Sequence, residues 1–318
     1  MKLSFDTIKS ITVGALTITE HDDGIRFAKC TTKQLDGWLA FSETLFNNAA
    51  AATGIRLDFH TNSKNFKFTA PVGNKFEIYV NDSFCYFFPE SALVDRSASI
   101  ELDGNDNRIT LYLPCHAPAV VISAIEVDDG ATVTPHKFDT KLLFIGDSIT
   151  QGWDSTYDSL SYAHRVSRFF NADSVIQGIG GGFFHETIFD EDMPYDPDVI
   201  ITAFGTNDWG RFSTLEEILD NMNKFLASIN RRYPDKTLIC LSPIWRDVSA
   251  NPIRQSGSFD ALCEALKDTA KKNGAIVIDG FTLTPHHPNF FMDKTLHPNA
   301  IGFGIYAENL IKAIKDYI

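Results

Sequence analysis

The chain has 318 residues, with 28 Lys and Arg against 41 Asp and Glu, a formal net charge of −13. That excess repels phosphate backbones and anionic lipid surfaces, and no Lys/Arg stripe offsets it, so neither nucleic acid nor a membrane is expected as a partner. Apolar residues make up 44% and charged residues 22%, the balance of a soluble globular chain with length for two domains.

The opening segment, MKLSFDTIKSITVGALTITEHDD, lacks the continuous apolar run of a secretory signal, and no stretch approaches 18 apolar residues. Five cysteines, Cys30, Cys85, Cys115, Cys240 and Cys263, are scattered without a CxxC. Buried free thiols in a reducing cytoplasm are the expected state.

Residues 1–135 read as β. IRLDFHT (55–61) alternates, with Ile55, Leu57 and Phe59 on one face and Arg56, Asp58 and His60 on the other. FKFTA, KFEIYV, SFCYFF, ASIEL, RITLYL and AVVISAIEV follow, separated by the turn-forming PVGN, ND and DGNDN. Many short strands at this spacing predict an antiparallel sandwich or jelly roll. ETLFNNAAAATG (43–54) is ambiguous between helix and loop, and DDGATVTPHKFDT (128–140) reads as a linker.

The rhythm then changes. Over 136–318, KLLFIG, SVIQGI, DVIITAFG, TLICLSPI and AIVIDG are short, nearly unbroken apolar runs separated by amphipathic segments. In STLEEILDNMNKFLASINRRYP, Leu215, Ile218, Leu219, Met222, Phe225, Leu226 and Ile229 form one helical face, with a capping box expected from Ser213 and Glu216. SFDALCEALKDTAKKNG is a second helix, closed at Asn273-Gly274. Apolar strands alternating with helices predict a five-stranded parallel sheet covered on both faces. Ligands of such sheets sit beyond the carboxyl ends of the strands.

Those ends carry, in order, GDSIT with Ser148, GIGGGFF (178–184), FGTNDW (204–209) with Asn207, SPIWRD (242–247) and, past a loop, DKTLHPNAIG (293–302) with Asp293 and His297. A serine hydroxyl is a weak nucleophile without a base, and His297 is the candidate base, imidazole being the side-chain type suited to proton transfer at physiological pH; activity is expected to need its neutral form. Asp293 is the candidate orienting carboxylate. Three donors for an oxyanion are available: the Ser148 amide, an amide of the Gly180–Gly182 run, and the Asn207 side chain.

These four blocks resemble the SGNH hydrolases, the GDSL-type esterases and lipases, over about residues 140–318. The resemblance implies a flavodoxin-like α/β domain, Ser148 as nucleophile and oxyanion donor, Gly181 and Asn207 as the other donors, and Asp293 and His297 completing a triad. It implies no cofactor and no metal. Two departures stand. Ile176 occupies the place of the usual second-block Asn, which leaves Gly180 as an alternative to Gly181. Asp293 precedes His297 by four residues where three is usual, so a Ser–His dyad oriented by a backbone carbonyl is the alternative. An N-terminal β-sandwich ahead of such a domain resembles the two-domain carbohydrate esterases, which implies acetyl esters of small molecules or oligosaccharides as substrates.

Other readings of the same residues were weighed. Ser148 could be a helix N-cap. No GxGxxG follows the first strand and no Walker-type Lys follows any, which disfavours a nucleotide site. Thr150 stands where a GxSxG elbow needs Gly, which argues against an α/β-hydrolase. His286 and His287, between Pro285 and Pro288, read as loop rather than metal ligands. Phe183, Trp209 and Trp245 are candidates for an acyl or sugar pocket, Trp153 a weaker one. A lipase, thioesterase or acyltransferase using the same site is the alternative within enzymes, and a non-catalytic carbohydrate-binding protein the alternative outside them. Oligomeric state is left open.

Overall fold

A computed structural model describes residues 1–116 and 119–318, and the side chain of Cys85 lies outside the described residues. Cys30, Cys115, Cys240 and Cys263 are free and buried. The chain packs as two compact units, Met1–Cys30 with Ala50–Phe138, and Thr31–Ala49 with Asp139–Ile318.

The first unit is antiparallel β apart from a short helix at Phe5–Ile11 and one 3-10 turn at Glu90–Ala92. Arg56–Thr61 lies inside the largest sheet, paired with Asn107–Tyr112 along one edge and with Thr12–Val13 and Val133–Pro135 along the other. Leu57, Phe59, Phe66, Phe68, Ile78, Ile109, Leu111 and Ile125 interlock as its core. On the polar face of the alternating run 55–61, Arg56 and Asp58 are buried. The reason is local charge pairing: the Asp58 carboxylate receives Arg56 Nε at 3.1 Å and Arg108 Nε at 2.9 Å. The run AVVISAIEV is two strands in different sheets, Val121–Ile122 and Ala124–Val127.

In the second unit the strands Thr140–Gly146 (β1), Ala172–Gly178 (β2), Val199–Ala203 (β3), Thr237–Leu241 (β4) and Ile276–Ile278 (β5) form one sheet in the order β2-β1-β3-β4-β5, every pair parallel. Leu142, Phe144, Ile176, Ile201 and Ile239 pack on one face against the helices Tyr162–Phe169 and Ala300–Ile314. On the other face Met222 and Leu266, from the helices Leu215–Arg232 and Phe259–Lys272, meet Thr202 and Cys240. Burial on both faces explains why the strands read as unbroken apolar runs. The Leu215–Arg232 helix starts one residue later than the capping-box reading: Thr214, not Ser213, is the N-cap and accepts from Glu217 N. Among the described residues no helix is long and apolar enough to cross a membrane.

The segment 31–50 forms two helices: Thr32–Leu39, which the sequence patterns do not separate from the β-rich stretch around it, and Glu43–Ala50, within the stretch that reads as either helix or loop. Thr31 and Gln34 make a reciprocal capping box. The Gln34 amide also exchanges hydrogen bonds with Gln177 on β2, 3.0 Å one way and 2.9 Å the other. Trp38, 1% exposed, meets the Phe183 ring edge-on at 5.7 Å. Asn48 Nδ2 donates to Gly180 O at 2.9 Å. The segment thus covers the end of β2 and the glycine run after it. Trp38→Ala leaves a large apolar void there and is expected to cost about 3–5 kcal/mol of stability in chemical denaturation; a loss below about 1 kcal/mol would show that the segment is not part of this core.

Candidate active site

The carboxyl ends of three strands stand in register. Gly146 at the end of β1 is level with Gly178 on β2 and Ala203 on β3. A side chain at either glycine would occupy space already filled: at Gly146 by Thr150 and the Ala203 carbonyl, at Gly178 by the backbone of Thr150 and Gln151. The missing side chains let a one-turn helix, Ser148–Gln151, lie directly on the end of the sheet.

Asp147, not Ser148, caps that helix: its Oδ1 accepts from Ile149 N at 2.9 Å. The capping role considered for Ser148 is therefore already filled, and the Ser148 hydroxyl is available elsewhere. Gly152, with φ 93°, ends the turn in a conformation that favours glycine. Ser148 Oγ lies 2.8 Å from His297 Nε2.

His297 sits in a loop closed by a bridge between Phe291 and Pro298, just before the Asn299 cap of the last helix. Its Nδ1 is 3.0 Å from Asp293 Oδ2. The other carboxylate oxygen of Asp293 accepts the amides of Thr295, Leu296 and His297 at 2.9, 2.7 and 3.1 Å. One extra residue in the usual Asp–His spacing is thus absorbed by a tight turn folded around the carboxylate. Burial would raise the Asp293 pKa, but those amide hydrogen bonds and the nearby His297 hold it below the ordinary value. A second carboxylate, Asp154, lies 3.7 Å from the same imidazole nitrogen, on a residue with φ 66°.

Opposite the serine lies the glycine run. The Gly180 amide donates to Gln151 Oε1 at 2.6 Å. The Gly181 amide, with φ 80°, makes no hydrogen bond among the described residues. Asn207 Nδ2 donates to Gly182 O at 2.9 Å, which holds the amide in place and leaves its second hydrogen. Its neighbour Asp208 accepts from Phe184 N at 3.0 Å, tying the same two loops together.

The aromatic candidates divide. Phe183 and Trp209 are 0% and 1% exposed, so they form walls and floor rather than open surface. Trp245 is half-buried, stacked on His286 at 5.9 Å. Trp153, 36% exposed, lies 6.3 Å from the His297 ring. His286 donates to Phe281 O and His287 accepts from Asn289 N, so both have local roles. Asp154, Asp293 and His297 place one ligand atom each within 4.8 Å of one another, the only such group among the described residues. Asp293 Oδ2 faces His297 Nδ1 within hydrogen-bond distance, and its Oδ1 is taken by three amides, an arrangement that holds an imidazole rather than a cation.

Residues that sequence reasoning passed over are Asp154, Gln151, Asn48 and three arginines, Arg211, Arg246 and Arg254, which line an open cleft with Gly181 and Asn207. Arg246 lies within the strand-end block SPIWRD, and Arg211 two residues past the block FGTNDW.

Burial pushes the carboxyls of Asp147 and Asp208 each up to about 7. In the unfolded chain such groups titrate near ~3.9. Between those values the folded state keeps protons that the unfolded state has lost, so stability falls as pH rises through that window. Asp208→Asn removes one of the two ionisations while retaining an acceptor for Phe184 N. The drop in Tm between pH 4.5 and 8 is expected to shrink by a few degrees; a slope equal to that of the unaltered protein would contradict the assignment.

A family model described as GDSL-like Lipase/Acylhydrolase matches residues 144–305. No curated protein sequence matches. The fold is similar to that of "Salicylyl-Acyltransferase SsfX3 from a Tetracycline Biosynthetic Pathway", with a TM-score of 0.80 at 16% identity over 96% of this chain and 94% of that one. It is similar to an acetyl xylan esterase (Est2A) from the rumen bacterium Butyrivibrio proteoclasticus, TM-score 0.64, 16% identity, 99% and 98% covered. A family two carbohydrate esterase from Clostridium thermocellum, in complex with cellohexaose, gives a TM-score of 0.62 at 17% identity, with 84% and 93% covered.

Proposed function

The chain belongs to the GDSL-like lipase/acylhydrolase family, and from that premise we propose that it is a serine esterase acting through an acyl-enzyme on short-chain esters, with acetyl esters of a carbohydrate as the substrate class. The observation that carries this reading is the run of contacts from Ser148 Oγ through His297 to Asp293, 2.8 and 3.0 Å.

Ser148 Oγ attacks the ester carbonyl carbon as His297 Nε2 takes its proton. The carbonyl oxygen becomes an oxyanion facing the amides of Ser148 and Gly181 and the second Nδ2 hydrogen of Asn207. Of the two glycines, Gly181 fits the role better because the Gly180 amide is already committed to Gln151. The bond to the alcohol then breaks, the alcohol leaving with the proton from His297. Water attacks the acyl-enzyme by the same route, giving its proton to His297, and Ser148 recovers its hydroxyl. Asp293 holds the imidazole so that Nε2 faces the serine and stabilises its charged form. The carbohydrate esterases named above have the same two-part fold, which supports the carbohydrate part of the proposal. The acyl-enzyme would serve transfer to another alcohol equally well, and the acyltransferase named above shares the fold.

Ser148→Ala is expected to lower kcat on short nitrophenyl esters by at least about 10³-fold. Asp293→Ala is expected to cost roughly 10²–10⁴-fold and Asp154→Ala, on the longer contact, less than about tenfold. Full activity in Ser148→Ala would end the esterase reading. Equal losses in the two aspartate variants would remove the distinction between them. A preference for acyl chains of eight or more carbons would replace the acetyl assignment with a lipase.

A further inference from the structure

In a chain of net charge −13, three arginines converge on one cleft. It has a volume of about 430 Å³ and is lined by Gly181, Thr206, Asn207, Gly210, Leu296 and the side chains of Arg211, Arg246 and Arg254. Two of its walls are residues proposed above as oxyanion donors. Among the described residues none of the three guanidiniums forms an ion pair, whereas Arg26, Arg56, Arg96 and Arg108 in the first unit and Arg231 in this one do.

Each is placed by structure. Arg254 lies on a two-strand hairpin, Ile253–Arg254 against Gly257–Ser258. That hairpin is fastened to Trp209: the indole donates to Gly257 O at 2.9 Å and Ser256 Oγ donates to Trp209 O at 3.0 Å. The Arg254 guanidinium rests over the Trp209 ring, 4.3 Å from its centroid. Gly210 makes room for it, since a methyl group there would overlap Arg254 Nη1. Arg246 donates through Nη1 to Thr206 Oγ1 at 3.0 Å. Arg211 lies 3.8 Å over the Phe183 ring. The nearest carboxyls make their hydrogen bonds elsewhere, Asp293 to three amides and His297, Asp147 to the helix it caps and Asp208 through one oxygen to Phe184 N, the other Asp208 oxygen being buried without a partner. Aromatic faces hold the guanidiniums without neutralising them, and two buried Nε atoms, on Arg246 and Arg254, lack acceptors. Planar guanidiniums arranged this way match the oxygens of a carboxylate or phosphate.

We propose that the ester accepted by this site carries an oxyanionic group, a carboxylate or a phosphate, close to its scissile carbonyl, and that Arg211, Arg246 and Arg254 bind it. This rests on the esterase reading of the site and narrows its substrate class to acidic esters, such as acylated acidic or phosphorylated sugars.

The test compares matched substrates: phenyl acetate with 4-acetoxybenzoate and 4-acetoxyphenyl phosphate, which place the charge on the alcohol, and 4-nitrophenyl acetate with 4-nitrophenyl hydrogen glutarate, which places it on the acyl group. At least one charged member is expected to exceed its neutral twin in kcat/KM by about tenfold or more, through KM. Arg254→Gln and Arg211→Gln should each shrink that charged-to-neutral ratio, Arg254→Lys should restore part of it, and added salt should erode it. A neutral twin equal to or better than every charged member, or a ratio unmoved in both Gln variants, overturns the proposal. Calorimetry of glutarate and inorganic phosphate on Ser148→Ala reads binding without turnover. Binding that is lost in the Arg211→Gln/Arg254→Gln double variant supports the anion site, and no binding of either probe argues against it. Fluorophosphonate labelling of Ser148 in the unaltered protein used for the kinetics separates a failed anion site from a failed esterase.

Discussion

The site depends on how closely one turn of helix can approach the end of a parallel sheet. Gly146 and Gly178 stand level on adjacent strands, and both must lack a side chain for Ser148–Gln151 to rest there. Everything else is positioned from that contact. Asp147 takes the capping role, which frees the Ser148 hydroxyl, and Gln151 is delivered to the Gly180 amide. The third strand end brings Asn207 and Asp208 to the same glycine loop from the opposite side. Close backbone packing here does what a strained elbow does in α/β-hydrolases: it points one hydroxyl at one imidazole.

The arrangement also has electrostatic consequences. Asp147 and Asp208 are buried carboxyls that only local amides satisfy, and their raised pKa values record the cost of holding charge there. Asp293 shows the opposite balance, with three amides outweighing its burial. Carboxyl groups therefore stand beside Ser148 in the chain, at Asp147, and behind His297, at Asp293, while the cleft with Asn207 is lined by arginines, of which Arg211 rests on Phe183 and Arg254 on Trp209. The two aromatics are structural supports for charge, which accounts for their burial.

Much of this was legible in the sequence. Five apolar runs marked the sheet, and the polar or glycine-rich residues after them marked its functional edge, because strand ends of a parallel sheet share one rim. Ser148, Asn207, Asp293 and His297 could be selected in that way. The helices at 31–49 could not be placed, since their pairing of Gln34 with Gln177 spans 143 residues and leaves no local pattern. Asp154 and Arg254 were equally hidden: one depends on a left-handed turn after the nucleophile helix, the other on a two-residue hairpin that no periodicity announces. The partner of the Gly180 amide, Gln151 Oε1, was hidden too, because it is a tertiary contact. The alternation at 55–61 marked a strand and its two faces, but not that Arg56 and Asp58 on the polar face are buried, since an ion-pair cluster can be buried when its charges balance.

The central claim is that Ser148 carries the acyl group during turnover. Acid quench of the protein during hydrolysis of an activated acetyl ester, followed by peptide mass spectrometry, tests it most directly. The account predicts an acetyl group on the peptide containing Ser148, absent from Ser148→Ala and formed far more slowly in His297→Ala. Turnover at the full rate with no adduct on Ser148, or with the adduct on another residue, would contradict it.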